Sequence, residues 1–452
     1  MKRFLLFGLS LVLAATAHAQ LPQIRVTGVF PPGAQRGTSL DVTVTAGTDL
    51  DEASELVTSH PGIKAVPKLD GNGKAIANQF TVSVDPALAA GRYDIRLRGL
   101  FGISNPRVFR VDTIPEVQEA EPNNTNEQAQ EVSLNTVVNA RSNSAADVDT
   151  FKVTAQAGQT IVFRSEAAVL DSLMQPVLEV FDAAGRRVAQ SRRRQQQDAV
   201  IIYTSPIDQV LLLKVHDTVY AGSNDYGYRL SVDTRSVVDF VRPQIVQANV
   251  ESKVTIFGRL LVDGQPANLT LDGVPLMKKD VTVKLTAPEE QTVGTDSSAT
   301  SINTAIYAGF DGNLLPFAVR SEAVAAIVET EDAKVAQVLA LPADVAGSFA
   351  IELDEDIFRF DAKKGEPWQI DVMAHRLGSS ADPMLIVEQV VRAADGTETL
   401  KRLARVDEDK QNPGGANLPT LSSDPSFLLT TPEDGQYQIR LKDRYAASRG
   451  AA

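Results

Sequence analysis

The 452-residue chain has no cysteine, one tryptophan and four histidines. Without cysteine there is no disulfide, no thiolate nucleophile and no Cys-ligated zinc site. No Gly-x-Ser-x-Gly elbow, His-Glu-x-x-His pair or P-loop occurs, which leaves the commonest hydrolase and nucleotide-binding signatures unrepresented. Positive charge is short too: 44 Lys and Arg stand against 57 Asp and Glu, a net charge of −13. An acidic surface argues against nucleic acid and anionic membranes as partners. No run of 18 apolar residues is present, so membrane insertion is not expected.

The chain does carry an export signal. Met1-Lys2-Arg3 is followed by an apolar stretch over residues 4–15 and by Ala17-His18-Ala19. That pattern reads as a secretory signal peptide, residues 1–19, cut before Gln20. The mature chain then has 433 residues (452 minus 19) and a charge of −15 (−13 less Lys2 and Arg3). The expected location is secreted or cell-surface, or periplasmic where the envelope has an outer membrane.

It also repeats itself. Asp147-Val148-Asp149-Thr150-Phe151 recurs as Asp354-Glu355-Asp356-Ile357-Phe358, 207 residues later (354 minus 147). Gly158 and Gly365, and Pro176 and Pro383, keep that offset. Gly99/Gly309, Gly102/Gly312, Pro106/Pro316, Arg110/Arg320, Glu119/Glu329 and Glu121/Glu331 sit 210 apart, and Pro32/Pro243 and Gly47/Gly258 sit 211 apart. Solenoid repeats run about 20–50 residues, so this is a pair of ordinary domains, copied.

Within the unit the pattern is β. Residues 40–45, 79–84, 93–97 and 107–111 alternate at period two and are rich in β-branched residues, as half-buried strands do. Short strands separated by Gly, Pro and Asp clusters predict sandwiches. Further strands are expected at 150–154, 160–165, 177–181, 199–204, 210–215 and 228–232. The whole is expected to be all-β, in five segments: 1–19, 20–113, 114–235, 236–325 and 326–452.

Two resemblances refine this. Pro32-Gly33, Arg36-Gly37 and Gly47-Thr48-Asp49-Leu50 resemble the Ig-like IPT/TIG-type modules of bacterial surface proteins. Glu121-Pro122-Asn123-Asn124, Asp147-x-Asp149-x-Phe151, Ala157-Gly158-Gln159, Asp182-Ala183-Ala184-Gly185 and Tyr226-Gly227-Tyr228-Arg229-Leu230 resemble, in order, the bacterial pre-peptidase C-terminal domain. That domain is a β-sandwich appended to secreted proteases and collagenases. The expected order is therefore Ig-like, pre-peptidase-like, Ig-like, pre-peptidase-like. The second copy departs from the family: Asp332-Ala333-Lys334 stands where the Pro-Asn-Asn would be.

Calcium is the chemistry these motifs suggest. The ion takes six to eight hard oxygen ligands. Glu119 and Glu121 are two apart, as are Asp147 and Asp149, so each pair points to one side of an extended segment. Asn123 and Asn124 add amide oxygens. The resemblance implies that Glu119, Glu121, Asn123, Asp147 and Asp149 meet around the ion. The plainer alternative is solvated turn residues and an Asn turn cap. Glu329, Glu331, Asp354 and Asp356 are the weaker counterparts.

Other candidates are thinner. His60, His216 and His375 are unpaired by the repeat, and a lone histidine is usually structural. Arg186, Arg187 and 192–194 form a basic run that suits an acidic polysaccharide or, more ordinarily, a solvated loop. Tyr203, Tyr220, Tyr226, Tyr228 and Trp368 read first as packing and second as ligand-stacking residues. The reading is a non-catalytic binding, adhesion or scaffold protein engaging extracellular protein or polysaccharide. Its rivals are a carboxylate-based extracellular hydrolase and an accessory subunit of a secreted peptidase. A cleft holding two carboxylates, one with a raised pKa, would favour the hydrolase.

The last module is expected to be incomplete. In the first copy the 210–215 strand leads through a loop to a closing strand at 228–232. In the second, 439–441 leads to Asp443 and then to Ala446-Ala447-Ser448-Arg449-Gly450-Ala451-Ala452, a poor strand sequence. Either the sequence is a piece of a longer protein whose next residues supply the strand, or another segment or chain fills the gap. The absence of any other spare strand favours the first.

Overall fold

The computed structural model describes residues 22–192, 198–271, 273–286, 306–320, 326–329, 335–349, 354–379, 381–408 and 423–444. They form tandem β-sandwiches with two short 3-10 turns and no α-helix among the described residues.

In the first sandwich, one sheet orders Arg25–Phe30, Ser39–Thr48, Ala75–Val84 and Ile63–Leu69. The facing sheet orders Gly33–Gln35, Arg107–Asp112, Gly91–Gly99 and Glu55–Thr58. The alternation read in the sequence decides which face is inward: Val42, Val44, Phe80, Val82, Ile95, Leu97, Phe109 and Val111 form one core.

The second sandwich has two five-stranded sheets. One orders Glu116–Gln118, Thr136–Arg141, Gly227–Asp233, Thr160–Glu166 and Val200–Thr204. The other orders Gln130–Glu131, Asp149–Ala155, Gln209–Asp217, Pro176–Phe181 and Arg187–Arg192. Phe151, Ile161, Phe163, Leu211, Leu213, Tyr228 and Leu230 meet in its core at 0% exposure. Two of these strands have no alternation to announce them. Thr136–Arg141 is buried along nearly its whole length, and Arg187–Arg192 is an edge strand facing solvent. The basic run is therefore partly a strand and not a loop. Arg186 and Arg187 are also engaged, with Asp182 at 2.7 Å and Glu179 at 2.5 Å. Arg193 and Arg194 lie outside the described residues.

The second half repeats the first. Val237–Arg242, Ser252–Arg259, Val274–Val283 and Gln265–Leu271 form one sheet of the third sandwich; Ile245–Gln247, Asn313–Arg320 and Ile306–Phe310 form the other. The correspondence here differs from the constant offset of the sequence. The N–H of Arg110 donates to the Pro32 carbonyl and that of Ala318 to the Gln244 carbonyl, so Arg110 matches Ala318 and not Arg320. The reason is a shorter hairpin: Phe310 pairs with Asn313, whereas the first copy inserts Gly102–Ile103 between its strands.

In the fourth sandwich the offsets hold. Asp149 pairs with Val215 and Asp356 with Leu441; Thr160 pairs with Thr204 and Pro367 with Thr430. One sheet is whole, ordering Gln337–Val338, Glu355–Ala362, Gly435–Asp443, Pro383–Arg392 and Glu398–Val406. The other is in two pieces, Ala326–Val328 with Asp344–Ala346, and Pro367–Asp371 with Ser426–Thr430. The break falls where Gly227–Asp233 stands in the second sandwich.

A buried ionic network joins the first two sandwiches. Arg110, on the first, donates to both carboxylate oxygens of Glu166 on the second, at 2.9 and 3.2 Å. Arg229 donates to Glu166 at 2.7 Å and to Glu116. Arg235 spans Asp112 at 2.9 Å and Asp233 at 2.7 Å. Burial alone would raise the Glu166 carboxyl; the guanidinium groups of Arg110 and Arg229 outweigh it and bring it down to about 2.

Candidate metal centre

The sequence reading assembles its candidates from two separate stretches, and the backbone brings these together. The N–H of Glu119 donates to the Asn139 carbonyl at 3.0 Å, which carries the Glu116–Gln118 strand on towards the site. The Glu121–Pro122 peptide is cis. The N–H of Thr150 then donates to the Asn123 carbonyl at 3.0 Å, and that of Val148 to Asn124 Oδ1 at 3.2 Å. The Glu-Pro-Asn-Asn segment is thereby docked on the start of the Asp149–Ala155 strand.

Carboxylate oxygens of Glu119, Glu121 and Asp149 lie within 4.8 Å of one another. Oxygens at 2.3–2.6 Å on opposite sides of a calcium ion span about that distance. Asp147 is outside this group; its Oδ2 accepts from the Asn143 N–H at 2.6 Å. Asn123 is fully buried beside the group. Turned one way, its amide nitrogen donates to Asp149 Oδ1 at 3.2 Å and Glu121 Oε2 at 3.1 Å. Turned the other way, its oxygen joins theirs.

The rest of the shell fixes the carboxylates in place. Glu119 Oε1 accepts from the Arg141 N–H at 2.8 Å, and Glu121 Oε1 from Asn143 Nδ2 at 2.9 Å. Tyr228 donates its hydroxyl to Asp149 Oδ2 at 2.5 Å. Glu119 Oε2 is buried with no hydrogen-bond partner. Among the described residues no lysine or arginine side chain pairs with any of these four carboxylates. The electrostatic consequence is plain. Burial, then the charge of Asp149, pushes Glu119 up to about 9. Burial, reinforced by Asp147 and Glu121 and opposed by the Tyr228 hydrogen bond, takes Asp149 to about 8. A buried oxygen without a donor, among carboxylates without a counter-charge, fits a hard divalent cation.

No protein-family model matches the chain, and no curated protein matches it. Solved structures do. The pre-peptidase C-terminal domain of a collagenase from Bacillus anthracis matches at 14% identity, over 23% of this chain and 93% of that one, with a TM-score of 0.19. The secreted serine protease VesC from Vibrio cholerae matches at 9%, over 44% of this chain and 48% of that one, with a TM-score of 0.17. SGBP-B of a Bacteroides ovatus mixed-linkage glucan utilization locus matches at 10%, over 91% and 72%, with a TM-score of 0.16. These are weak likenesses, and activity and ligand do not follow from them.

The second acidic group is built differently. Glu329 donates its N–H to the Ala346 carbonyl at 3.0 Å, as Glu119 does to Asn139. Its Oε1 accepts from the Ser348 N–H at 2.7 Å. Burial, then the charge of Glu329, takes Asp356 up to about 8, and Glu329 Oε2, like Glu119 Oε2, is buried with no hydrogen-bond partner. Glu331 lies outside the described residues. Asp356 has no tyrosine like Tyr228 beside it, because that strand has no counterpart among the described residues. Tyr228 and Asn143 escape sequence reading: Tyr228 lies 79 residues from Asp149, and no local spacing links them.

The histidines are absorbed locally. His60 Nδ1 accepts from the Gly62 N–H at 3.0 Å, and its ring meets Tyr93 edge-on at 5.6 Å. His216 stacks on Tyr220 at 4.3 Å, with Nδ1 2.8 Å from the Asp217 carbonyl. His375 opens a 3-10 turn whose N–H donates to Asp424 at 2.6 Å. Tyr203 and Tyr226 pack against the second core.

Proposed function

We propose that this chain is a non-catalytic extracellular scaffold or binding protein whose second sandwich is held by calcium. The observation that carries the reading is the buried, unpartnered Oε2 of Glu119 within a carboxylate group that has no counter-charge. Glu119, Glu121 and Asp149 would hold the ion, with the Asn123 oxygen turned inward and Asp147 orienting from outside. The ion supplies positive charge where the protein supplies none, and cross-links the Glu119–Asn123 segment to the Asp149–Ala155 strand. Extracellular polysaccharide or protein is the partner this reading expects.

The hydrolase reading has one observation behind it. Glu329 and Asp356 line a large cavity, and Asp356 titrates near 8. Yet retaining glycosidases hold their carboxyls about 5–5.5 Å apart with the scissile bond between them. Glu329 is instead fastened to the backbone through the Ser348 N–H at 2.7 Å, in the place that Glu119 takes in the second sandwich.

Calcium in hundredfold excess over its dissociation constant is expected to stabilise the mature protein by about 2.7 kcal/mol, and chelator to remove that gain. Glu119→Gln, which withdraws the partnerless oxygen's charge, is expected to abolish the calcium response. Equal melting with calcium and with chelator would sink the metal assignment. Turnover of a glycoside or peptide substrate that survives repurification, and is lost in Glu329→Gln, would replace the scaffold reading with the hydrolase.

A further inference from the structure

On the outer face of the sheet that carries Asp149–Ala155, one ring lies flat on another. His216 stands near the end of the Gln209–Asp217 strand and is 7% exposed. Tyr220, in the loop that follows, covers it, with 4.3 Å between ring centroids and 3° between ring planes. Tyr220 is itself 48% exposed, and Val219 beside it 78%. One face of the tyrosine ring is therefore against the imidazole, and the other meets solvent.

The backbone under this stack is strained. Tyr220 has a φ of +56°, in the left-handed region that L side chains avoid. Among the described residues twelve non-glycine positions have positive φ; eight of them are Asn or Asp, and Tyr220 is the sole aromatic. A turn of this kind favours Gly or Asn, so the turn does not explain the tyrosine. Covering His216 does not explain it either, because the ring leaves about half of its own surface in water.

The loop is fastened on every side. Asp217 Oδ1 accepts from the Val219 and Ala221 N–H groups at 2.9 and 3.2 Å, and its Oδ2 from the Gln175 N–H at 2.8 Å. The Tyr220 N–H donates to the Asp217 carbonyl, and the Tyr220 carbonyl accepts from the Ala146 N–H, both at 2.9 Å. A Cβ on Gly222 would come 2.2 Å from the Ser144 carbonyl oxygen, so the loop lies directly on residues 142–147. A strained backbone held by this many bonds is a preset shape. The ring is in place before a ligand arrives and has little rotamer entropy left to lose on binding.

We propose that the outer face of Tyr220 is a platform for a β-linked, gluco-configured pyranose of an extracellular polysaccharide. Such a sugar has its hydroxyls equatorial and its C–H bonds axial, so it presents a flat apolar face that matches an aromatic ring laid flat. A protein partner gains most from aromatics enclosed in water-excluding pockets, whereas Tyr220 stands half in water. The Thr218 hydroxyl, two residues away, donates to the Gln175 carbonyl at 2.8 Å and keeps its lone pairs for a sugar hydroxyl. This site deepens the reading of the chain as a binding protein and does not depend on the ion.

Affinity electrophoresis of the mature protein, in gels containing hydroxyethylcellulose as a soluble β-glucan, reads the site. Polygalacturonate and gelatin gels run in parallel, with calcium in all. The expected result is retardation by hydroxyethylcellulose that Tyr220→Ala weakens about tenfold or more and Tyr220→Phe retains. Tyr220→Asn controls for folding: asparagine tolerates the left-handed backbone, so this variant is expected to melt close to wild type and still to lose the glucan. Glucan retardation that Tyr220→Asn leaves intact overturns the platform while leaving polysaccharide binding in place. No retardation by hydroxyethylcellulose overturns it outright. Retardation by gelatin alone makes the partner a protein and overturns it too. Polygalacturonate binding that survives Tyr220→Asn, without glucan binding, marks charge rather than stacking and does the same.

Discussion

Arg229→Ala is expected to lower the unfolding free energy of the first two sandwiches by about 3–5 kcal/mol, the usual cost of breaking a buried pair by removing one partner. Arg229 is 1% exposed and donates to Glu116 and Glu166. Burial works against its charge, but those carboxylates hold its pKa above the ordinary arginine value. Removing it leaves Glu116 buried with only Asn139 as a side-chain donor, at 2.8 Å. Glu166 keeps Arg110, so Glu116 carries most of the penalty. Urea denaturation of the mature protein measures the loss. Arg229→Met with Glu116→Gln is expected to recover much of it, because the uncompensated charge goes with the cation. A loss below about 1 kcal/mol in the alanine variant, typical of an exposed pair, would show that water reaches the network.

The same network shows where sequence reading stops. The sandwiches were legible because alternation marks which face of a strand is buried: Val42 and Val44, Phe80 and Val82 fall on the inner face as the pattern requires. The duplication was legible because turn glycines, prolines and the Asp-x-Asp-x-Phe motif recur at fixed offsets. Thr136–Arg141 was not legible, since it is buried on both faces and has no polar alternation. The partners of Arg229 lie 63 and 113 residues away and are brought into reach by the strand order of one sheet; only the packing of one sandwich on the next adds Arg110. At the candidate metal site the motif positions were readable from the resemblance, but the exclusion of Asp147 from the inner group and the part of Tyr228 were not. Both depend on side-chain direction at the end of a strand. The broken sheet was legible in outline from a strand sequence present in one copy and not matched in the other; among the described residues that sheet is in two pieces.

The calcium-free protein is expected to lose stability as pH rises, the reverse of ordinary acid denaturation. Glu119 and Asp149 titrate near 9 and 8 in the folded protein, against ordinary values near 4.5 and 3.8. A carboxyl raised in the folded state binds its proton more tightly there than in the unfolded chain. Its contribution is fully present below the ordinary value and disappears as pH climbs through the folded value. Stability in chelator should therefore fall from pH 5 to pH 9. Each pH unit between folded and unfolded titration is worth about 1.4 kcal/mol, so a coupled pair shifted this far supplies on the order of 5 kcal/mol. Asp356 titrates near 8 as well and adds to the same slope, so the first site is isolated by difference. Glu119→Gln with Asp149→Asn removes both titrations and is expected to flatten most of the fall. Calcium acts in the opposite sense. It binds the ionised carboxylates, so the gap between calcium and chelator should widen with pH and be largest above pH 8. Melting at pH 5, 7 and 9, with calcium and with chelator, on wild type and the double variant, measures all of this. A chelated wild type as stable at pH 9 as at pH 5 would mean that solvent or a cationic side chain already neutralises the cluster.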